Sequence, residues 1–166
     1  MSRHPAELDD SALMSQCRMT RGRASGPGGQ HRNKVETAVI LEHLPTGHRV
    51  QANERRRAED NRRVALNRLR LKLAVAVRVA RDGGPSGTWS SRVRDGKISI
   101  NPKHAQFPSV LAEALDAMND SGWQPKEAGE RLGCSPSQLV KLLKLHPPAF
   151  QLVNQQRQER GLSRLR

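Results

Sequence analysis

Apolar residues recur along this chain in two rhythms, and the change between them divides it. Ser15 to Arg23 alternates loosely, with Cys17 and Met19 on one side and Arg18 on the other, which predicts a strand with one wet face. Thr37 to His43 is apolar and β-branched, Leu44-Pro45-Thr46-Gly47 supplies turn chemistry, and His48 to Ala52 returns as a partner strand. Leu8 to Leu13 reads as a short helical start. From Asn53 or Glu54 the period lengthens. Leu66, Leu69, Leu73, Val77 and Ala80 recur at spacings of three and four, Ala58, Arg62 and Ala65 extend the stripe upstream, and Gly83-Gly84-Pro85 stops it. The opposite surface carries Arg56, Arg63, Arg70, Arg78 and Arg81. A long helix lying across one face of a small antiparallel sheet makes residues 1–82 a two-layer α+β unit.

The remainder reads differently. Residues 83–107 are a linker with a small hairpin, Thr88 to Arg94 and Lys97 to Asn101 around Asp95-Gly96. Pairing would set Val93 opposite Ile98 and Ser91 opposite Ile100, with Trp89 on the same face. Such a hairpin is marginal alone, so it must dock on something. Residues 108–166 are helical. Val110, Leu111, Ala114, Leu115 and Met118 form a stripe, and Pro125 opens a second helix ending at Gly133-Cys134. Ser135-Pro136-Ser137-Gln138 has the spacing of a capping box before Leu139, Leu142, Leu143 and Leu145. Helix, tight turn and capped helix resemble a helix-turn-helix. A last helix follows from Phe150 to Arg160.

Charge supplies the partner class. The chain has 166 residues, 29 Lys and Arg against 16 Asp and Glu, and a formal net charge of +13. Both parts are basic, so a polyanion is the expected partner. Trp89, Trp123, Phe107 and Phe150 are its aromatics, and the first 88 residues hold none, so phosphate contact and shape outweigh base stacking. Cys17 and Cys134 form no C-x-x-C pattern, which fits a reduced cytosol and neither a disulfide framework nor a zinc site. No signal segment or membrane span is legible, and a cytoplasmic monomer is expected.

The chemistry concentrates in Arg23-Ala24-Ser25-Gly26-Pro27-Gly28-Gly29-Gln30-His31-Arg32-Asn33-Lys34. Three glycines and a proline in four positions exclude a helix or strand interior and let backbone approach a ligand closely. Basic residues flank the turn, and no acid lies between Arg18 and Lys34. The glycine spacing does not fit a P-loop. Ser25 is not in a G-x-S-x-G elbow, and His43, His48, His104 and His146 lack metal-ligand spacing. Arg55, Arg56 and Arg57 stand at the start of the long helix, where cations oppose its macrodipole. Stability does not explain them, and phosphate contact does.

That string, continued by Glu36-Thr37-Ala38-Val39, Leu44-Pro45-Thr46-Gly47, Glu54-Arg55 and Asn61, resembles the Gly-Gly-Gln domain of class I peptide-chain release factors and of their short codon-independent relatives that rescue stalled ribosomes. The resemblance runs from Arg23 to about Leu73. It implies hydrolysis of the ester joining a nascent peptide to P-site tRNA, with the ribosome as partner. Gly28 and Gly29 would shape the loop, and the Gln30 main-chain N–H would stabilise the transition state while its side chain positions water. Arg23, Ser25, His31, Arg32, Asn33 and Lys34 would contact ribosomal RNA, His31 in preference to acting as a general base. No cofactor is implied. The family's glutamine is typically N5-methylated by a dedicated methyltransferase, an expectation that extends to Gln30.

Three departures bear on how ribosomes are recognised. Nothing in the sequence reads as a codon-recognition domain, and the end is a packed-looking helical module with Arg157, Arg160, Arg164 and Arg166 rather than a Lys/Arg-rich tail. Arg57-Ala58 also stands where the family has Ser-Gln before the helical Asn. The alternative reading is a non-enzymatic basic protein whose C-terminal helix-turn-helix binds nucleic acid.

Overall fold

The computed structural model describes residues 3–22 and 37–166. The fold is α+β, and its described residues form two compact units. One is Leu8–Leu73; the other joins the N-terminal residues up to Glu7 with Ala74–Arg166.

In the first unit α1 (Asp10–Ser15) is capped by Asp9, whose carboxylate accepts from the Ala12 N–H. A three-stranded antiparallel sheet follows in the order β1 (Cys17–Gly22), β2 (Ala38–His43), β3 (His48–Ala52). The turn at residues 44–47 closes through the Gly47 N–H on the His43 carbonyl at 2.8 Å, with Gly47 at φ 69°. Register places Met19, Leu41 and Val50 in one row and Arg21, Val39 and Ala52 in the next. Val39, Leu41 and Ala52 are buried, and Ala65, Leu66, Leu69 and Leu73 of α2 (Ala58–Ala76) supply the apolar layer on top.

The helix covers β2 and β3 more than β1. Arg68 donates to the Gln51 carbonyl at 2.7 Å and Lys72 to the Arg49 carbonyl at 3.0 Å, both on β3. The expectation of one wet face on β1 is therefore corrected. Residues 18–21 are all exposed, and Met19 keeps 38% exposure although it lies in the inward row.

Both ends of α2 differ from the periodicity, for polar reasons. At the start, the Asn61 side chain takes the Arg55 N–H and the Arg55 carbonyl, so 54–57 turn instead of coiling and the helix opens at Ala58. At the end, Arg78 folds back to donate to the carbonyls of Ala74 and Val75, the latter at 2.8 Å. His4 Nε2 donates to the Val77 carbonyl at 3.1 Å, and buried Asp116 accepts from the Val79 N–H at 3.1 Å. The apolar stripe continues through Val77 and Ala80, but these bonds capture the backbone that a helix would need. Arg70, Arg78 and Arg81, expected on a solvated face, are tied down instead. Arg70 pairs with Asp10 at 2.8 Å, Arg78 and Arg81 pair with Asp116 at 3.2 and 3.1 Å, and Arg81 also bonds Glu7.

The second unit absorbs residues 83–107, expected as a linker. Thr88 to Ser90 are helical (α3, Gly87–Ser90) rather than extended, because Ser86 caps the turn through the Trp89 N–H and is itself held by Glu113. Trp89 is fully buried and donates to the Leu132 carbonyl at 2.8 Å, which answers what the insert docks on. The hairpin shrinks to β4 (Val93–Arg94) and β5 (Lys97–Ile98). Val93 pairs with Ile98 around Asp95 and Gly96 at φ 49° and 72°, and Ser91 lies outside the ladder. Helices α4 (Phe107–Asp120), α5 (Pro125–Leu132), α6 (Pro136–Lys144) and α7 (Pro147–Glu159) complete the unit. α5 and α6 join through Gly133 in the left-handed region, and a Cβ at Gly129 would stand 2.7 Å from the Cys134 carbonyl oxygen. That is a helix-turn-helix bend.

Candidate functional site

The site is built from the stem upward. Gly22 pairs with Ala38 as the last rung of the β1–β2 ladder, at the end of β2 opposite the 44–47 turn. The segment that carries the Gly-Gly-Gln string is therefore the connection between these two paired residues. Gly28, Gly29 and Gln30, with Arg23, Ser25, His31, Arg32, Asn33 and Lys34, lie outside the described residues.

What the structure does place is a clamp at the entry to β2. Asn61, fully buried on the first turn of α2, donates from Nδ2 to the Thr37 carbonyl at 2.7 Å and to the Arg55 carbonyl at 3.0 Å. Its Oδ1 accepts from the Arg55 N–H at 2.8 Å. One amide thus uses both donors and its acceptor, the arrangement that makes a buried Asn affordable. It ties the entry to β2 and the bend before α2 into one piece.

Arg55, Arg56 and Arg57 ride on that bend, and all three are exposed. The Arg57 carbonyl accepts the first helical bond, from the Asn61 N–H at 3.1 Å. Glu59 and Asp60 occupy the first turn, where acids suit the helix dipole. The arginines lie outside that turn, with no acidic partner among the described residues. Arg18, at the other end of β1, pairs across the strand with Glu42 at 3.6 Å. Three solvated guanidiniums beside the stem suit a phosphate backbone.

Arg68, which periodicity did not single out, buttresses the bend. It pairs with Glu54 at 2.5 Å while holding the Gln51 carbonyl, and Glu54 in turn accepts from the Asn53 N–H at 2.9 Å. No hydropathy signal marks such a link, since both groups are charged and exposed. Asn61 was visible only as part of the ordered string.

His43 is buried at the far end of β2, between Thr46 Oγ1 at 2.8 Å and Gln16 Oε1 at 3.0 Å, and burial lowers its pKa. It is a fastening of the turn. No group of His, Cys, Asp and Glu among the described residues could hold a metal ion, and no helix among them is long and apolar enough to cross a membrane.

A family model, the RF-1 domain, matches residues 10–100. Peptide chain release factor 1 of Acidiphilium cryptum (strain JF-5) is 42% identical over 86 residues, 52% of this chain and 24% of that protein. The chain thus spans about a quarter of that relative's length. The matched residues include all three strands of the first sheet, the Gly-Gly-Gln string between Gly22 and Ala38, the Asn61 clamp and the small hairpin. By a match over more than half of its length, the chain belongs to the RF-1 domain family of release-factor-like proteins.

Proposed function

We propose that the chain is a peptidyl-tRNA ester hydrolase that works inside the ribosome without reading a codon, releasing peptides from stalled complexes. One observation carries the hydrolase reading: the Gly28-Gly29-Gln30 triplet sits in a connection whose stem is fastened by Asn61 and flanked by three solvated arginines. A stem held this firmly supports delivery of a side-chain-poor turn to a fixed point in a narrow RNA cavity.

The chemistry asks little of side chains. Water attacks the ester carbonyl at the terminal ribose of P-site tRNA, and negative charge develops on the carbonyl oxygen and then on the departing ribose oxygen. The Gln30 main-chain N–H would donate to that charge, a contribution of roughly 10²–10³ in rate for one pre-organised donor. Glycines at 28 and 29 permit the approach, and the Gln30 amide orients one water while excluding others. Methylation of Gln30 at N5 would leave the main-chain donor unchanged. Arg55, Arg56 and Arg57 would hold the ribosomal RNA around the entry.

Codon independence is supported by the second unit. Trp89, Phe107 and Trp123 are buried there, and Phe150 is half-buried beneath the Lys144 ammonium, 5.5 Å from its ring centroid. No described aromatic is thus offered for stacking on a codon base. The test is peptide release from ribosomes carrying P-site peptidyl-tRNA, with the A-site empty, filled by a sense codon, or filled by a stop codon. The reading requires release without a stop codon and no gain from one. Release only at stop codons overturns it.

A further inference from the structure

The second unit spends its helix-capping groups in an unexpected way. Ser135 caps α6 by accepting from the Gln138 N–H at 3.3 Å, but Gln138 does not return the bond that a capping box would make. Its side-chain oxygen accepts from the Ile98 N–H at 3.4 Å, and the Ser135 N–H is taken by the Gly96 carbonyl at 3.1 Å. The hairpin β4–β5 is thereby fastened along the N-terminal half of α6. Its base is pinned as well, since Arg92 donates to Gln106 at 2.5 Å and meets His104 Nε2 at 3.1 Å.

Fastened this way, two elements too small to bind anything alone present one surface. Ser137, Lys141 and Lys144 recur at spacings of four and three, so they share the exposed face of α6. The hairpin tip adds Arg94 and Lys97, also exposed. α6 carries no acid and the hairpin carries one, Asp95, so four cations stand against a single carboxylate. The acids of the neighbouring bend, Glu127 and Glu130, belong to α5. Cys134, at the bend itself, is buried, and burial pushes its thiol up to about 11, so it stays a neutral packing group.

We propose that the hairpin tip and the exposed face of α6 form a docking surface for the phosphate backbone of an RNA helix, a second anchor on the polyanion in addition to the arginines of the first unit. Its chemistry favours backbone over bases. The face offers ammonium and guanidinium groups and one hydroxyl, and the Gln138 side-chain oxygen, which bidentate base contact would need, is already taken by the Ile98 N–H. The choice of RNA over DNA rests on the ribosomal reading above.

The experiment uses the full chain and a 20-bp RNA duplex, with a DNA duplex of matching sequence as the second arm. Binding is measured across a salt series for wild type, Lys97→Gln/Lys141→Gln, and the control Lys103→Gln/Lys126→Gln, which removes the same charge elsewhere on the same unit. The first double variant should bind the RNA about tenfold more weakly, and its log–log salt slope should fall by about 2, close to 0.9 per lost phosphate contact. The control should change less than threefold. In wild type, bound RNA should shield Lys97, Lys141 and Lys144 from acetylation while Lys103 and Lys126 stay reactive, a readout independent of any variant's folding. Equal losses in both double variants, no loss in either, uniform acetylation, or tighter binding to the DNA duplex would each overturn the proposal. Peptide release measured on the same preparations reports separately. Normal release with unchanged RNA binding sinks only the docking surface, and absent release with the expected RNA loss sinks only the hydrolase reading.

Discussion

Asn61 donates to the Thr37 carbonyl over 2.7 Å, across 24 positions of sequence, and with it the first turn of α2 is bonded to the residue that enters β2. The same amide satisfies the N–H and carbonyl of Arg55. Replacing Asn61 by Ala leaves these three backbone groups in a buried setting without their partner. At about 1 kcal/mol for each lost bond, chemical denaturation should show a loss of about 2–3 kcal/mol. Asn61→Asp keeps the acceptor but sets a buried carboxylate oxygen against the Thr37 and Arg55 carbonyls, and should lose at least as much. Wild-type stability in the Ala variant would mean that the clamp is ornamental.

The arginines on the bend should behave oppositely. Arg55, Arg56 and Arg57 are exposed, so changing all three to Gln should alter unfolding free energy by less than about 0.5 kcal/mol per site. Ribosome affinity should drop, with a salt dependence shallower by up to about 3 in log–log slope. Sedimentation across a potassium series measures both.

His4 predicts a pH effect in the second unit. Burial holds its imidazole down at about 4, and the bonds from the Ala6 N–H at 3.0 Å and to the Val77 carbonyl need the neutral ring. The folded pKa lies below the ordinary 6.5, so the unfolded chain takes the proton first. The stability due to His4 is full above pH 6.5 and is lost as pH falls from there to about 4, by at most about 3 kcal/mol. Asp116 titrates in the reverse sense: burial, opposed by the Val79 N–H and by Arg78 and Arg81, raises its carboxyl to about 6. Comparing wild type with His4→Gln isolates the histidine. Their difference in unfolding free energy should shrink between pH 6.5 and 4.5, and a constant difference contradicts a neutral buried ring.

Gly129→Ala tests the helix-turn-helix bend. A Cβ there stands 2.7 Å from the Cys134 carbonyl oxygen, a backbone atom that cannot swing aside. Although alanine favours a helix by about 1 kcal/mol, the clash should win and cost about 1–3 kcal/mol net. Calorimetry of the variant is the check.

Much of this architecture was legible in the chain because it follows from local chemistry. The apolar, β-branched run of Thr37 to His43 and the turn chemistry of Pro45-Thr46-Gly47 marked β2 and its partner β3, and Ser135 capped α6 where its spacing said it should. The errors sit where a distant polar group overrides a local preference. Periodicity carries α2 through Val77 and Ala80, but Asp116 and His4 capture that backbone from elsewhere in the sequence. Helical spacing likewise puts Arg70 on a wet face and cannot know that Asp10 awaits it. At the site, composition marked Arg55, Arg56 and Arg57 through their misfit with the helix dipole. The tie between Arg68 and Glu54 left no mark, because a charged pair fourteen residues apart looks like ordinary surface.

The central claim, that main chain rather than a side chain stabilises the reaction, is tested most directly by Gln30→Pro. Proline removes the main-chain N–H together with the side-chain amide, whereas Gln30→Ala removes the side-chain amide alone, so the difference between the two variants reports the N–H. On ribosomes holding P-site peptidyl-tRNA and no stop codon, single-turnover release should fall about 10²–10³-fold while ribosome binding stays within a few-fold of wild type. Gln30→Ala, which keeps the N–H, should lose less. Release by Gln30→Pro at the wild-type rate would contradict the account.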